Sequence, residues 1–353
     1  MKKINIIGGG ITGCSLAFFL KNDFEVELFE KTESLGGLAK TFKSLDNLYY
    51  QKGVHVFHTN EKWIQDLIGS FIPIVPIDYY VAMNTLIDFQ YYKIPFDINT
   101  INMMPWHWKE SILQELERIN GETASNLKEL IINFYGETIY DIFYKNYFKT
   151  MFGKDAEKLD NPHWYRKYLR DVNVENDYHP EQYVFSSAKG YNDLFTKLTE
   201  GVKINFNTEA FYDQFSDEDT VILTTRPDSF FDKKERIGYV KSTFDIDSSF
   251  YSENKPDVML YSNFAPFIAI HQFGKMFNNR DNRNIIVKEY SRGTEETYPI
   301  LTCKNIKTVQ RYKDKYKNVY FAGRFGSFEM MEMCECIMQA STIAAKIKHQ
   351  DKI

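Results

Sequence analysis

The sequence has little cysteine and no long apolar run. Only four of its 353 residues are cysteines and none forms a C-x-x-C pair, so neither a zinc site nor a disulfide framework is indicated. We therefore expect reduced thiols and a cytoplasmic protein. No apolar stretch reaches the roughly 18 residues that span a bilayer, so membrane insertion is not expected. Glycines interrupt the apolar N-terminus and no small-x-small site follows it, which argues against a signal peptide.

Strong charge of either sign is also missing. Lys and Arg total 43 against 48 Asp and Glu, a net charge of −5, which argues against a general nucleic-acid binder but leaves a local basic cleft open. The hydrophobic share of 43% is enough for a sizeable core and excludes wholesale disorder. At roughly 100–200 residues per domain, the length predicts two or three structural units.

The first thirty residues predict a strand–helix–strand unit with a dinucleotide-binding motif. A β-branched run at 3–7 predicts a buried parallel strand, 11–21 a helix and 25–30 a second strand. Between the first strand and the helix, residues 8–13 read G-x-G-x-x-G. That motif alone is weak, but in this context it indicates dinucleotide binding.

Each residue type in the motif has a physical reason. Gly8 allows the tight turn, Gly10 lets the backbone approach a pyrophosphate, and Gly13 permits close helix–strand packing. The helix N-terminus offers unpaired N–H groups and a partial positive charge. Glu30, at the end of the second strand, would accept hydrogen bonds from a ribose hydroxyl.

A second glycine pair, Gly36-Gly37, follows closely and favours FAD over NAD. In FAD-binding folds such a pair brings the backbone beside the extended middle of the cofactor. The alternative is an ordinary Gly-Gly turn.

Downstream, the pattern changes twice. Helical spacing at 61–68 and roughly 107–150 predicts an inserted helical domain, and short β-rich runs from 230 to 305 predict an antiparallel sheet. Residues 318–324 predict a strand that runs into a glycine turn, and residues 331–348 predict a helix after it, which is the same strand–turn–helix pattern as in the first domain. Two helical stripes are predicted to be apolar and inward-facing: Trp106, Trp108, Ile112, Leu113 and Leu116, and Leu127, Leu130, Ile131 and Phe134.

The predicted fold class is α/β, with a discontinuous Rossmann-like FAD-binding domain, an inserted helical domain and an antiparallel β-sheet domain. The predicted FAD-binding domain comprises 1–75, 186–230 and 306–353. The helical domain is placed at 95–165, and the sheet domain, for substrate, at 76–94, 166–185 and 231–305.

Five further segments occur in a fixed order: Gly53–Asn60 (GVHVFHTN), Tyr147–Gly153 (YFKTMFG), Lys189–Tyr191 (KGY), Lys288–Arg292 (KEYSR) with Tyr298–Ile300 (YPI), and Gly323–Gly326 (GRFG) with Glu332-Met333. The set resembles the motifs of the UDP-galactopyranose mutase family, and the glycine motif extends the match to the N-terminus. The ordered set is specific, whereas each motif alone is weak.

The resemblance implies a flavin chemistry without net redox change. In the family, N5 of reduced FAD attacks the anomeric carbon of a nucleotide-activated pyranose and displaces the nucleoside diphosphate. The resulting adduct opens, recloses as a furanose and recaptures the nucleotide. The resemblance further implies NADPH or NADH as reductant, a nucleotide-diphosphate sugar as partner, a role in surface glycan synthesis and, as in bacterial members, a homodimer.

The resemblance also assigns residues by motif, with no metal ligand among them. Residues implied in catalysis are Arg166, His55, Glu289 and Arg324. Residues implied in substrate binding are Tyr147, Phe152, Arg170, Tyr178, Tyr298 and Met330. Residues implied in cofactor binding are Gly8, Gly10, Thr12, Gly13, Glu30, Lys31, Gly36, Gly37, Leu38, His55, Gly323, Arg324 and Met333.

Several of these residues have a plainer interpretation. Arg166 could be a surface arginine, Glu289 an exposed strand acid and Arg324 a turn arginine. In a chain with 24 tyrosines, Tyr147 and Tyr298 could simply pack in a core. His58, in the first family motif, is expected to have a structural role.

The sequence departs from the family pattern at the substrate. Phe152 replaces a tryptophan, Ala269 an arginine that contacts the diphosphate, and Met330 a tyrosine. Arg226 and Arg292 are candidate replacements for the missing cation. These changes leave the nucleotide and the sugar open.

Four functions remain compatible with the sequence. The first is a reduced-flavin pyranose/furanose mutase, and the second is a related flavoenzyme that rearranges a nucleotide sugar differently. An FAD-dependent amine or carbon–carbon oxidase is the third. A noncatalytic flavin-binding protein is the fourth, and the losses at Ala269 and Met330 are its best support.

Overall fold

A computed structural model describes residues 1–119, 123–160, 162–174, 177–231, 235–250, 255–262, 265–277 and 283–351. The chain divides into two compact units. Unit 1 comprises Met1–Pro76, Glu181–Gly238 and Lys304–Ile353, and unit 2 comprises Ile77–Pro180 and Tyr239–Cys303. The finer division into three domains stays a prediction.

The strands are β1 (Lys3–Ile7), β2 (Glu25–Phe29), β3 (Phe42–Lys43), β4 (Tyr49–Tyr50), β5 (Phe57–Thr59), β6 (Val75–Pro76), β7 (Val81–Asn84), β8 (Tyr91–Lys93), β9 (Tyr183–Ser186), β10 (Lys203–Asn205), β11 (Thr220–Leu223), β12 (Tyr239–Phe250), β13 (Val258–Tyr261), β14 (Ala269–Gln272), β15 (Arg283–Ser291), β16 (Glu295–Pro299) and β17 (Val319–Phe321). The helices are α1 (Ile11–Leu20), α2 (Lys62–Phe71), α3 (Ile98–Asn102), α4 (Trp106–Leu116), α5 (Leu127–Tyr135), α6 (Glu137–Ile139), α7 (Lys145–Phe152), α8 (Asn192–Leu198), α9 (Pro227–Phe230), α10 (Cys303–Lys315) and α11 (Met333–Gln350). Within the described ranges, none of these helices combines the length and apolarity needed to cross a bilayer.

Unit 1 is built on a parallel sheet. Its strand order is β10-β2-β1-β11-β17, and every neighbouring pair runs parallel. The predicted strand–helix–strand unit is confirmed, with β2 ending one residue earlier than expected, at Phe29. This confirms the predicted α/β class, and the order places β1, with its glycine motif, at the centre of the sheet.

Small residues let the long C-terminal helix approach the glycine-motif helix. Leu16 and Leu20 of α1 and Ile6 of β1 are fully buried in one apolar cluster. Ala340 and Ala344 of α11 belong to the same cluster, and α1 and α11 make extensive contact. The packing of α11 against α1 and β1 removes apolar surface from water, which stabilises the strand–helix unit that carries the glycine motif.

Unit 2 is built on a seven-stranded sheet with the order β16-β12-β15-β14-β13-β7-β8. Its neighbouring strands are antiparallel except for β13 and β7, which run parallel. The predicted antiparallel sheet is therefore confirmed in its larger part. The parallel pair could not be predicted because its strands are about 170 residues apart, and register between distant strands is not a local property.

The helical part of unit 2 buries four of the nine predicted stripe residues, namely Ile112, Leu127, Leu130 and Ile131. Trp106 was predicted to face inward, and this is wrong: 74% of it is exposed. Trp106 is the first residue of α4, directly after Pro105, and the buried residue of this helix is Ile112.

Candidate functional site

The turn between β1 and α1 is held by a close backbone contact. A Cβ atom on Gly13 would stand 1.9 Å from the carbonyl oxygen of Gly8, which is inside any allowed contact distance. Gly8 has φ +106°, a conformation that L side chains rarely adopt. The first turn of α1 can therefore approach the end of β1 only because both positions are glycine.

The opposite side of this turn is open at Gly10. A Cβ at Gly10 would meet no atom within 4 Å. Gly10 is also the N-cap of α1, and it offers no side chain to the unpaired amides of the first turn. Those amides and the helix dipole can bind an anionic group such as a pyrophosphate at this position.

Glu30 ties the end of β2 to the glycine turn. Its Oε2 accepts a hydrogen bond from the Gly9 N–H at 2.8 Å, and its Oε1 accepts from the backbone and side chain of Thr32 at 2.9 and 2.8 Å. Glu30 is only 7% exposed. Oε1 thus uses both of its lone pairs, whereas Oε2 keeps one to which a ribose hydroxyl can still donate.

Two more glycine segments border the same turn. The Gly36 N–H donates to the Gly9 carbonyl at 2.8 Å. A Cβ on Gly323 would lie 2.4 Å from Oγ1 of Thr12, in the first turn of α1. The Gly323 N–H also donates to Oε1 of Gln339 at 2.6 Å, which fixes this segment to α11.

The polar side chains predicted beside the cofactor are held by backbone carbonyls. His55 Nδ1 lies 2.9 Å from the carbonyl oxygen of Gly53. Arg324 Nε donates to the Met331 carbonyl at 2.9 Å, and its Nη2 lies 3.8 Å from a carboxylate oxygen of Glu332. Both side chains are thus oriented by contacts within unit 1.

All the residues predicted to bind the cofactor lie in unit 1, and three of the segments that carry them, at Glu30, Gly36 and Gly323, contact the glycine turn. Among them Lys31 is exposed and Met333 is buried. Met330, predicted to contact substrate, lies in unit 1 as well. Their roles toward a cofactor stay predictions.

His58 has a role in unit 1 that the sequence did not define. Its Nδ1 lies 3.1 Å from Oε1 of Glu181, its Nε2 lies 4.0 Å from Oε2 of Glu332, and its side chain is 10% exposed. Burial lowers the pKa of His58, but the two neighbouring carboxylates outweigh it and raise the pKa to about 9. His58 is therefore a positive charge that links β5 to Glu181, which precedes β9, and to Glu332 at the start of α11.

The candidate substrate residues of unit 2 gather around Tyr147. This side chain is buried, and burial raises its pKa well above the ordinary value for tyrosine. The neighbouring Tyr165, Tyr178, Tyr298 and Glu289 raise the pKa further. The structure thus brings together four of the predicted residues, with Tyr165 as an addition, and keeps the Tyr147 hydroxyl protonated as a hydrogen-bond donor.

Glu289 is the acid of a buried polar cluster on the sheet. Its Oε1 accepts a hydrogen bond from Ser242 Oγ at 2.7 Å, and its Oε2 lies 3.4 Å from Nε2 of His271. Ser242 Oγ is also 3.2 Å from Oγ1 of Thr297. Glu289 is 7% exposed, so the interpretation as an exposed strand acid is wrong. Sequence reasoning missed His271 because no local motif surrounds it.

Arg166, predicted to contact the diphosphate, and Arg170, predicted to bind substrate, have different surroundings. Arg166 lies in a 3₁₀ segment, Pro162–Tyr168, is exposed, and places its guanidinium carbon 4.4 Å from the ring centroid of Phe134. Arg170 Nη1 instead donates to backbone carbonyls, one of them that of Leu169 at 2.9 Å. Because the Phe134 ring contacts the face of the Arg166 guanidinium, the N–H groups at the edge of the guanidinium can still donate to a ligand.

The two candidate replacements for the missing arginine, Arg226 and Arg292, stay predictions. Arg226 lies in unit 1, where its Nε donates to Asp228 at 3.0 Å and the two side chains form a bidentate pair. Arg292 is exposed in the turn between β15 and β16. Phe152, at the family's tryptophan position, is buried, and its ring centroid lies 6.2 Å from that of Trp164. A phenylalanine ring has no hydrogen-bond donor, so the donor that a tryptophan would offer is absent from this side chain.

Comparison with known families gives two matches. The sequence model of UDP-galactopyranose mutase matches residues 142–330, just over half of the chain. That of an NAD(P)-binding Rossmann-like domain matches residues 6–71, which contain the glycine turn and Glu30.

Individual relatives cover almost the whole chain. A Klebsiella pneumoniae protein named a probable UDP-galactopyranose mutase is 21% identical over 100% of this chain and 97% of its own. The Escherichia coli dTDP-fucopyranose mutase is 22% identical over 96% of this chain and 97% of its own. A crystal structure of reduced UDP-galactopyranose mutase shares the fold, with a TM-score of 0.83 at 16% identity, over 99% of this chain and 96% of that one.

The His58 ion pairs predict a pH-dependent stability. Because the pKa of His58 is raised from 6.5 to about 9 on folding, its contribution is complete below pH 6.5 and is lost as the pH rises through 9. We expect it to be about 3 kcal/mol of unfolding free energy. Urea unfolding at pH 6 and pH 10 should show that loss in the wild type and not in a His58→Gln variant. Equal losses in both proteins would contradict the assignment.

Proposed function

Because the chain belongs to the UDP-galactopyranose mutase family, we propose that it interconverts the pyranose and furanose forms of a nucleotide-activated sugar, with reduced FAD as cofactor. The observation that carries the proposal is the cluster in which the buried side chains of Glu289 and Tyr147 lie beside the half-buried Tyr298. It lies wholly within the segment that the family model matches.

The glycine turn of unit 1 fits FAD. The open space at Gly10 and the amides of the α1 N-terminus suit a pyrophosphate, and Glu30 suits the adenosine ribose. The Gly36 segment, bonded to Gly9, supplies a second stretch of bare backbone for the extended cofactor. When bound and reduced, FAD supplies the nucleophile that displaces the nucleotide from the anomeric carbon.

The residues of unit 2 then serve the nucleotide. Arg166 and Arg170 bring positive charge to the diphosphate, which gains negative charge as it leaves. The protonated hydroxyl of Tyr147 donates a hydrogen bond to a phosphate oxygen, with Tyr298 and Tyr178 beside it. Glu289, fixed by Ser242, holds one orientation relative to the sugar.

The substrate class is a UDP- or dTDP-hexose. One relative is named for UDP-galactopyranose and another for dTDP-fucopyranose, and this chain departs from the family pattern at Phe152 and Ala269. We assign the furanose product to surface glycan synthesis, with NADPH or NADH as the reductant.

The direct test is turnover with chemically reduced flavin. Purified protein, reduced with dithionite without oxygen, is incubated with UDP-galactose, dTDP-fucose and other UDP-, dTDP- and GDP-hexoses, and the products are identified by chromatography and NMR. We expect a furanose product with reduced flavin and none with oxidised flavin. Oxygen consumption with a sugar or amine substrate, or a product that is not a furanose, would contradict the mutase assignment.

Arg166→Ala tests the diphosphate contact. We expect turnover to fall by about 100-fold or more because charge stabilisation of the leaving diphosphate is lost. Bound flavin, read from its absorbance, should stay unchanged. Arg311→Ala is the matched control, since Arg311 is an exposed arginine of unit 1 paired with Glu235 at 2.7 Å. Near wild-type turnover in Arg166→Ala would remove Arg166 from the diphosphate site.

A further inference from the structure

His271 lies on the same face of the unit 2 sheet as Glu289. In the β14–β15 pair, Ala269 is opposite Glu289 and His271 is opposite Val287. Side chains two residues apart on a strand share a face, as do directly opposed ones. His271 therefore occupies the same face as Ala269, about 7 Å further along β14.

The ring orientation of His271 is set by the glutamate. Nε2 lies 3.4 Å from Oε2 of Glu289, and Oε1 of that carboxylate is already taken by Ser242. A carboxylate only accepts hydrogen bonds, so the Nε2 position carries the proton. Nδ1 then points away from Glu289.

Nδ1 of His271 is buried and, among the residues that the structure describes, has no hydrogen-bond partner. The residue is 6% exposed. Native proteins rarely leave a buried nitrogen of this kind unpaired, and a bound ligand is one source of its partner. The atom sits in the buried polar cluster that also holds Glu289.

The groups around Nδ1 of His271 indicate which kind of ligand would bind there. Ala269 stands where the family resemblance places a diphosphate arginine, so a cation is missing from this sheet face. An imidazolium donates from both nitrogens, one to Glu289 and one to an anionic oxygen. A diphosphate has no donor for a neutral Nδ1, so it binds the charged ring.

We propose that His271 is a substrate-binding residue that donates its Nδ1–H to the diphosphate of the nucleotide substrate, in place of the arginine absent at Ala269. The choice of a nucleoside diphosphate as the ligand rests on the proposed function, whereas the location of the site does not.

Two amide variants distinguish a contact with the diphosphate from a role in holding Glu289 in position. The Gln amide reaches the Nε2 position and keeps the Glu289 contact, whereas the Asn amide reaches only the Nδ1 position.

The experiment measures binding of UDP and of dTDP to the flavin-loaded protein by calorimetry. We expect His271→Gln to weaken the tighter-binding diphosphate by about 10- to 100-fold, the range of a hydrogen bond to a charged group. His271→Asn should bind more tightly than His271→Gln. Binding of the matching nucleoside, which lacks phosphate, should be equal in all three proteins.

Equal affinities in the two variants, tighter binding by His271→Gln, or a matching loss for the nucleoside would each overturn the proposal. A crystal structure of the wild type with UDP or dTDP avoids dependence on the folding of variants. It should place a phosphate oxygen within hydrogen-bond distance of Nδ1, and any other partner there would refute the proposal. Diphosphate binding needs no turnover, so a wild type that binds through His271 but converts no sugar would refute the proposed function alone.

Discussion

The contact between Gly13 and the Gly8 carbonyl is the constraint on which unit 1 depends. Because no Cβ separates them, α1 begins directly at the end of β1, and its free amides point at the space beside Gly10. The Gly36 and Gly323 segments then pack against the same turn. The turn that the sequence predicts to bind a dinucleotide is therefore built mostly of backbone, with the Glu30 carboxylate bonded to it.

Unit 2 differs from unit 1 because it buries polar side chains, among them Glu289, on its sheet. Glu289 is buried with hydroxyl and imidazole partners, and Tyr147 is buried as a neutral phenol. Burying such groups is costly unless each is hydrogen-bonded. Glu289 has such partners, whereas Nδ1 of His271 is left without a hydrogen-bond partner among the described residues of this cluster.

Sequence reasoning succeeded where structure is local. The limits of β1, α1 and β2 depend on neighbouring residues, so the glycine motif predicted them almost to the residue. It failed where partners are distant. The prediction for Trp106 was wrong because the spacing of apolar residues along a helix does not indicate which of its ends is exposed to solvent. The roles of His58 and His271 depend on glutamates brought close by the fold, and no spacing in the sequence encodes them.

The most direct test of this account compares two single-methyl additions in the glycine turn. Gly10→Ala adds a methyl where nothing lies within 4 Å, at φ −76°, so the apoprotein should melt at the wild-type temperature. Its flavin content after reconstitution with FAD should fall sharply, because the methyl fills the space for the pyrophosphate. Gly69→Ala, in α2, is the control and should keep its flavin. Full flavin content in Gly10→Ala would contradict the claim that bare backbone at this turn binds the cofactor.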